Sequence, residues 1–221
     1  MQNNDKSPFK SFLFQGHILD EKGNKMSKSL GNVLDANDIL VKNSVDAIRF
    51  YFMWKSSPID SLNFSLTEMS SRPYQVLSTL YYLHVYLIQN SAYDKFDTRK
   101  IDLDSVLKSE FITMTEAWIL SKLQSLIETV TTSLDNCRFN EGAKAFEEFI
   151  INHLSQTYVP MTRDDIWDDN METLERRYAI YTVLGYTLSL IDIMLHSFCP
   201  IITDYLYLLC FKKKDLVILE S

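Results

Sequence analysis

The chain has 221 residues, 46% of them hydrophobic and 23% charged, with a formal net charge of −7. That length can bury a core and allows one large domain or two small ones, while the acidic balance argues against a general nucleic-acid binder and leaves room only for localised basic patches. Five Gly and five Pro in the whole chain favour long helices over many short strands.

The N-terminus, Met1 to Lys6, has no basic stretch leading into an apolar run, so it does not read as a signal peptide. Residues 1–34 read as strands and turns. Phe12-Leu13-Phe14 and His17-Ile18-Leu19 are short apolar runs, and Asp20 to Asn24 is a polar turn cluster. From Asp35 the period becomes helical. Asp35 and Asn37 are candidate N-caps, and Asp46 to Trp54 is an apolar helical segment with Ile48 and Phe52 on one face, ended by Ser56-Ser57-Pro58.

Four longer helices follow. Ser65 and Glu68 have capping-box spacing, ahead of Val76, Leu80, Leu83 and Leu87 on one stripe. Thr113 and Glu116 form a second such box, ahead of Ile119, Leu123, Leu126, Ile127, Val130 and Leu134. Asn140 is the candidate cap of a third helix, which turns Phe146, Phe149, Ile150 and Leu154 inward. The fourth carries Leu174, Tyr178, Tyr181, Leu184, Leu188, Ile191 and Leu195 on one face. Its apolar stretch is interrupted by Asp192 and His196, which suits a buried helix better than a membrane span. Pro200 starts a short helix through Leu209, and Asn90 to Glu110 reads as a connecting loop. The expected fold is mainly α: a helical bundle preceded by a small α/β remnant. Cys137, Cys199 and Cys210 lie far apart, with no Cys-x-x-Cys and no His at ligand spacing. They read as reduced thiols of a cytosolic protein, and no metal site is expected.

The residues that suggest chemistry are Lys25-Met26-Ser27-Lys28-Ser29-Leu30-Gly31-Asn32. Two ammonium groups three residues apart, on flexible stems and among small hydroxyls, can reach a triphosphate. Ser27 and Ser29 can add hydroxyl or backbone hydrogen bonds, and Gly31 permits a turn that most residues resist. The plain alternative is a solvated polar loop. The pentapeptide with its Gly-Asn continuation, between an extended segment and a capped helix, outweighs it.

The stretch Gly16 to Asp35 resembles the second signature of class I aminoacyl-tRNA synthetases. Ser44-Val45-Asp46-Ala47-Ile48-Arg49 resembles that family's helix after the loop, with Ser44 and Val45 in place of Gly-Ala. Leu62-Asn63-Phe64-Ser65 is similar to the strand leading into its anticodon-binding bundle. Ala117-Trp118-Ile119-Leu120-Ser121-Lys122-Leu123 is similar to the bundle's own signature, with Ala117 in place of Arg. The resemblance implies residues 1–64 as the end of a catalytic domain, 65–211 as the α-helical anticodon-binding domain and 212–221 as a tail. It implies that Lys25 to Ser29 contact ATP, accompanied by Mg2+ in the complete enzyme. Lys28 is then the main phosphate contact and Lys25 assists, both as catalytic groups, while Met26 packs. Leu30 suits the isoleucine and valine enzymes better than the leucine or methionine ones, and the runs Arg72 to Val76 and Tyr158 to Trp167 resemble the isoleucine-specific branch, hence a ligase joining isoleucine to tRNA(Ile). A valine-specific enzyme and a non-catalytic helical interaction module are the alternatives. Arg163 and Trp167, four apart and so on one helix face, are the candidate tRNA contacts. Arg176, Arg177 and Lys212 to Lys214 are weaker ones, and Asp165 stands where relatives often have Arg. None of His17, His84, His153 and His196 forms the family's first signature, His-Ile-Gly-His. The expectation is therefore a C-terminal fragment without ligase activity by itself, from a monomeric cytoplasmic enzyme.

Overall fold

A computed structural model of the chain describes residues 12–211. Two strands of two residues each, β1 (Ile18–Leu19) and β2 (Leu62–Asn63), pair in parallel with Ile18 opposite Leu62 and Leu19 opposite Asn63. Parallel neighbours need a crossover, and it is supplied by α1 (Ala36–Lys42) and α2 (Val45–Lys55). Asp35 caps α1, accepting the Asn37 amide at 2.8 Å. Gly16 sets the spacing beside β1: a Cβ there would lie 2.0 Å from the carbonyl oxygen of Asp60. Phe12, Leu13 and Phe14, expected in a strand, belong to none and are exposed. Leu13 instead lines a pocket with Phe52 and Met53 of α2.

The bundle begins at α3 (Leu66–Tyr93), which runs through Pro73. Ser65 caps it through the Glu68 amide at 3.4 Å. The capping box is half made, because the Glu68 carboxylate turns to Lys55 Nζ at 2.6 and 2.5 Å instead of back to Ser65. The expected loop from Asn90 to Glu110 is more ordered than its polarity suggests. It holds the end of α3, a 3-10 turn at Thr98–Lys100 and α4 (Leu103–Leu107), each of the last two capped by an aspartate.

The second expected box forms fully. At the start of α5 (Met114–Asp135), the Thr113 side chain accepts a first-turn amide and Glu116 accepts the Thr113 amide at 2.9 Å. After α5 comes one continuous rod, α6 (Phe139–Glu148), a π-helical stretch (Phe149–Tyr158) and α7 (Val159–Ile166). Asn140 does not cap it. The left-handed Cys137 ends α5 and the new helix starts two residues later, behind Arg138, so Asn140 is already inside it. Then come α8 (Leu174–Leu195) and α9 (Pro200–Phe211), the latter two residues longer than expected and burying Cys210 and Phe211.

The large core joins Leu80 and Leu87 of α3, Ile119 and Val130 of α5, Phe146 and Leu154 of the rod, and Leu184, Leu188 and Ile191 of α8. By length and composition α8 could cross a membrane. Here it is a central helix packed against α3, α4, α5, α7 and α9. A smaller core of Tyr51, Leu62, Phe64 and Met69 lies under the strands, with Met26 packed against it. Helix α2 serves both: Ala47 and Phe50 face the large core and Tyr51 the small one. The loop-bearing unit and the bundle are thus built around a shared helix.

Candidate functional site

The loop between β1 and α1 is held by its own polar groups. A tight turn follows β1, with Gly23 at φ 81°, and brings Lys25 beside Leu19 in a single antiparallel bridge. Asp20 is the hub of this turn. Its Oδ1 accepts the amides of Asn24 at 2.7 Å and Lys22 at 3.0 Å, and its Oδ2 accepts Asn32 Nδ2 at 2.9 Å. Hydrogen bonds from Asn32 and Asn24 hold its carboxyl below the ordinary aspartate range.

Asn32 faces the other way as well. Its Oδ1 accepts the Ser27 amide at 2.9 Å and its Nδ2 also reaches the Lys25 carbonyl at 3.3 Å. Between these anchors Lys28–Leu30 forms one 3-10 turn, closed by Gly31 in the left-handed region at φ 67°. The hydroxyls of Ser27 and Ser29 are 2.8 Å apart. The outcome is a short crest. Lys25, Lys28 and Ser29 are exposed on it, while Met26 is half-buried against the small core. The Ser27 amide, expected as a phosphate donor, is taken by Asn32 in this state, which leaves the lysines and the Ser29 hydroxyl for a ligand. Sequence reasoning passed over Asp20 and Asn32 as site residues. The signal was present in the Gly-Asn continuation and in an Asp opening the turn, a residue whose side chain accepts nearby amides.

Arg163 and Trp167 end α7. The guanidinium carbon of Arg163 lies 5.4 Å from the Trp167 ring centroid, within cation–π range. Trp167 is 63% exposed, so it does not serve the core. Asp164, Asp168 and Asp169 stand nearby in sequence and are exposed.

The weaker arginine candidates turn inward. Arg176 binds both Glu116 oxygens at 2.7 and 3.0 Å, Asp165 at 3.0 Å and the Phe111 carbonyl at 2.7 Å. Arg177, 2% exposed, binds Asp94 at 2.7 and 3.1 Å. These pairs fasten the start of α8 to the segments before and after α5, and neither guanidinium is free for a nucleic acid. Asp165, in its unusual place, is thereby part of an internal ion pair. Lys212 to Lys214 lie outside the described residues.

Comparison with known proteins agrees with this arrangement. Residues 1–65 match the model of tRNA synthetases class I (I, L, M and V), and residues 116–221 match the anticodon-binding domain of tRNA ligase. An isoleucine–tRNA ligase of Clostridium tetani is 32% identical over 98% of the chain, and that of Methanopyrus kandleri 31% identical over 92%. The chain spans about a fifth of the length of these relatives, 20% and 18% respectively. Among solved structures, a methionyl-tRNA synthetase of Mycobacterium tuberculosis bound by methionyl-adenylate shares the fold. It has TM-score 0.72 and 17% identity, over 86% of this chain and 36% of that one. The LeuRS of Agrobacterium radiobacter K84, in a ternary complex with tRNA and LeuAMS, does so with TM-score 0.65 and 23% identity, over 92% of this chain and 22% of that one. With a class I loop on a parallel-strand crossover, a helical bundle behind it and both family models matched in order, this chain belongs to the class I aminoacyl-tRNA synthetases.

Proposed function

We propose that the chain serves an isoleucine–tRNA ligase, supplying the loop that contacts ATP and the bundle that binds the anticodon region of tRNA(Ile). The observation that carries this reading is the identity of 31–32% to isoleucine–tRNA ligases along 92–98% of the chain, the loop included. Residues 1–64 then close the catalytic domain, 65–211 form the anticodon-binding domain and 212–221 a tail. With the reading go a cytoplasmic location and a monomeric state.

In the activation step the isoleucine carboxylate attacks the α-phosphorus of ATP, the bond to the bridging oxygen breaks, and pyrophosphate leaves with the negative charge. Lys28, helped by Lys25, meets that charge as it grows, and such positioned cations act on the transition state more than on bound ATP. Ser29 can donate its hydroxyl to a phosphate oxygen. Mg2+ would come with the triphosphate. Among the described residues no group of three or more His, Cys, Asp or Glu could hold a metal ion. On the bundle, Trp167 offers a plate for an unpaired loop base, and Arg163 steadies it and reaches a base edge or phosphate.

Binding of tRNA(Ile) and of an unrelated tRNA to the purified chain at physiological salt tests the reading. Tighter binding of tRNA(Ile) supports it. Equal affinity for both would instead favour a helical interaction module that keeps the loop without its use.

A further inference from the structure

We infer that Asn32 is a positioning residue for the phosphate-contacting loop, a latch that sets the crest's shape by tying the Ser27 amide to the Asp20 carboxylate. The inference rests on the ATP reading above and adds a residue outside the pentapeptide itself. Asn32 lies at the one place where three separate stretches of the loop meet. Its Oδ1 takes Ser27 N at 2.9 Å, and its Nδ2 gives to Asp20 Oδ2 at 2.9 Å and to the Lys25 carbonyl at 3.3 Å. Asp20 is in turn fixed to the β1 turn by the Asn24 and Lys22 amides. The pair also forms part of the wall of a cleft of about 420 Å3 shared with Leu34, Phe64 and Leu66.

The chain from sheet to lysine is therefore continuous: β1, Asp20, Asn32, Ser27, Lys28. Without it, the segment from Ser27 to Gly31, beyond the Lys25–Leu19 bridge and the packed Met26, keeps the Lys28–Leu30 turn and the contact between the Ser27 and Ser29 hydroxyls. Lysine side chains are flexible, so their aim depends on how firmly the backbone beneath them is held. Misplacement of a charged contact by an ångström is costly in phosphoryl chemistry, where positioning provides much of the effect. An asparagine suits the place because its amide has an acceptor on one side and donors on the other. A carboxylate would repel Asp20, and an aliphatic side chain would leave the Ser27 amide and Asp20 without it.

The test uses this chain, with inorganic tripolyphosphate as the probe and amide NMR as the readout. Hydrogen exchange at Ser27 reports the latch, and titration shifts at Lys25 to Ser29 report phosphate binding. Asn32→Ala should speed Ser27 exchange about fivefold, the worth of one ordinary hydrogen bond, and weaken tripolyphosphate by a similar factor. Asn32→Asp should do at least as much, through repulsion of Asp20. Asp20→Asn combined with Asn32→Asp restores one donor facing one acceptor, and should recover most of both losses, which a mere packing role would not. Lys28→Ala should weaken tripolyphosphate while leaving Ser27 exchange unchanged. If binding persists undiminished in Asn32→Ala, or the reciprocal pair recovers nothing, the latch is overturned. If the unaltered chain binds no tripolyphosphate, the phosphate reading itself fails, and with it the positioning role.

Discussion

Arg163 stacks over Trp167 at the exposed end of α7, its guanidinium carbon 5.4 Å from the ring centroid. Neither side chain holds the core, and both are exposed. Trp167→Ala should weaken tRNA(Ile) binding by about 1–3 kcal/mol, the usual worth of one base–aromatic stack. The urea midpoint should stay within error, since surface changes rarely shift stability. Arg163→Ala should also flatten the dependence of log affinity on log salt by somewhat under one unit if the guanidinium meets a phosphate. An affinity unchanged in both variants would remove this pair from the tRNA surface.

Glu116 is the most heavily committed acid in the bundle. It caps α5 through Thr113 and receives both arms of Arg176. Burial pushes its carboxyl up, but bonds from Arg176 and Thr113 outweigh that and hold it below its ordinary value of 4.5. A depressed folded-state pKa contributes stability that is present above the unfolded value and is lost as pH falls through the folded one. Urea unfolding should therefore show a decline below about pH 4.5 that Glu116→Gln reduces. At neutral pH Glu116→Ala should cost about 3–5 kcal/mol, because Arg176 is left largely buried with the Phe111 carbonyl and the half-exposed Asp165 as its partners.

The elements that were legible in sequence are those set by local chemistry. Thr113 and Glu116 announced the start of α5, Asp35 that of α1, and the apolar stripes of α3, α5 and α8 named most of the core in advance. Ser56-Ser57-Pro58 likewise announced the stop of α2, but sequence did not announce the stop of α3 or the start of the helix after α5. The turns after α3 and α5 pass through Lys95 and Cys137 at φ 58° and 55°. Each is followed by a bond back across the helix end, Phe96 to Ser91 at 2.8 Å and Arg138 to Ser133 at 2.7 Å. Glycine is the usual residue there, and without it the end of α3 lay beyond its expected place and the short turn after α5 was read as longer, so the Asn140 cap was misplaced.

The functional loop divides in the same way. Its exposed lysines stand out in sequence because the pentapeptide is distinctive, whereas the contact of Asn32 with Asp20 follows from a fold-back of twelve residues that no periodicity signals. Arg176 and Arg177 looked like surface charge because their partners, Glu116 and Asp94, are 60 and 83 residues away.

His84 and Asp192 face each other with no exposed surface, Nε2 to Oδ2 at 2.9 Å, while Nδ1 meets the Leu80 carbonyl at 2.9 Å. A carbonyl only accepts, so Nδ1 carries a proton and donates to it, and one further proton must lie between His84 and Asp192. Burial alone would lower the imidazole, but the Asp192 charge and hydrogen bond more than reverse it and raise His84 above 6.5. Cys210 does not compete for that proton, its thiol being pushed up to about 12 by burial and by Asp192. The stabilisation is then full below pH 6.5 and lost as pH rises through the folded value. Unfolding from pH 6 to 9 should show that loss in the unaltered chain. A His84→Gln variant, less stable throughout, should lack this component of the slope, and an identical slope in both would show that the pair does not retain its proton.

Helix α2 grips the corner between α8 and α9 with two opposite charges. Asp46 accepts the Ile202 amide at 2.6 Å in the first turn of α9, and Arg49 donates to the Phe198 and Ser197 carbonyls at 3.0 and 3.2 Å just past α8. Each charge complements the helix terminus it meets. This clasp ties the loop-bearing unit to the bundle. Asp46→Ala should cost about 1–2 kcal/mol, as loss of a cap does, and Arg49→Ala somewhat less because its side chain is partly solvated. If the corner is held as one unit, releasing either grip loosens the other, and the double variant should cost less than the sum of the singles by about 0.5 kcal/mol or more. Strict additivity in urea unfolding would mean two independent contacts.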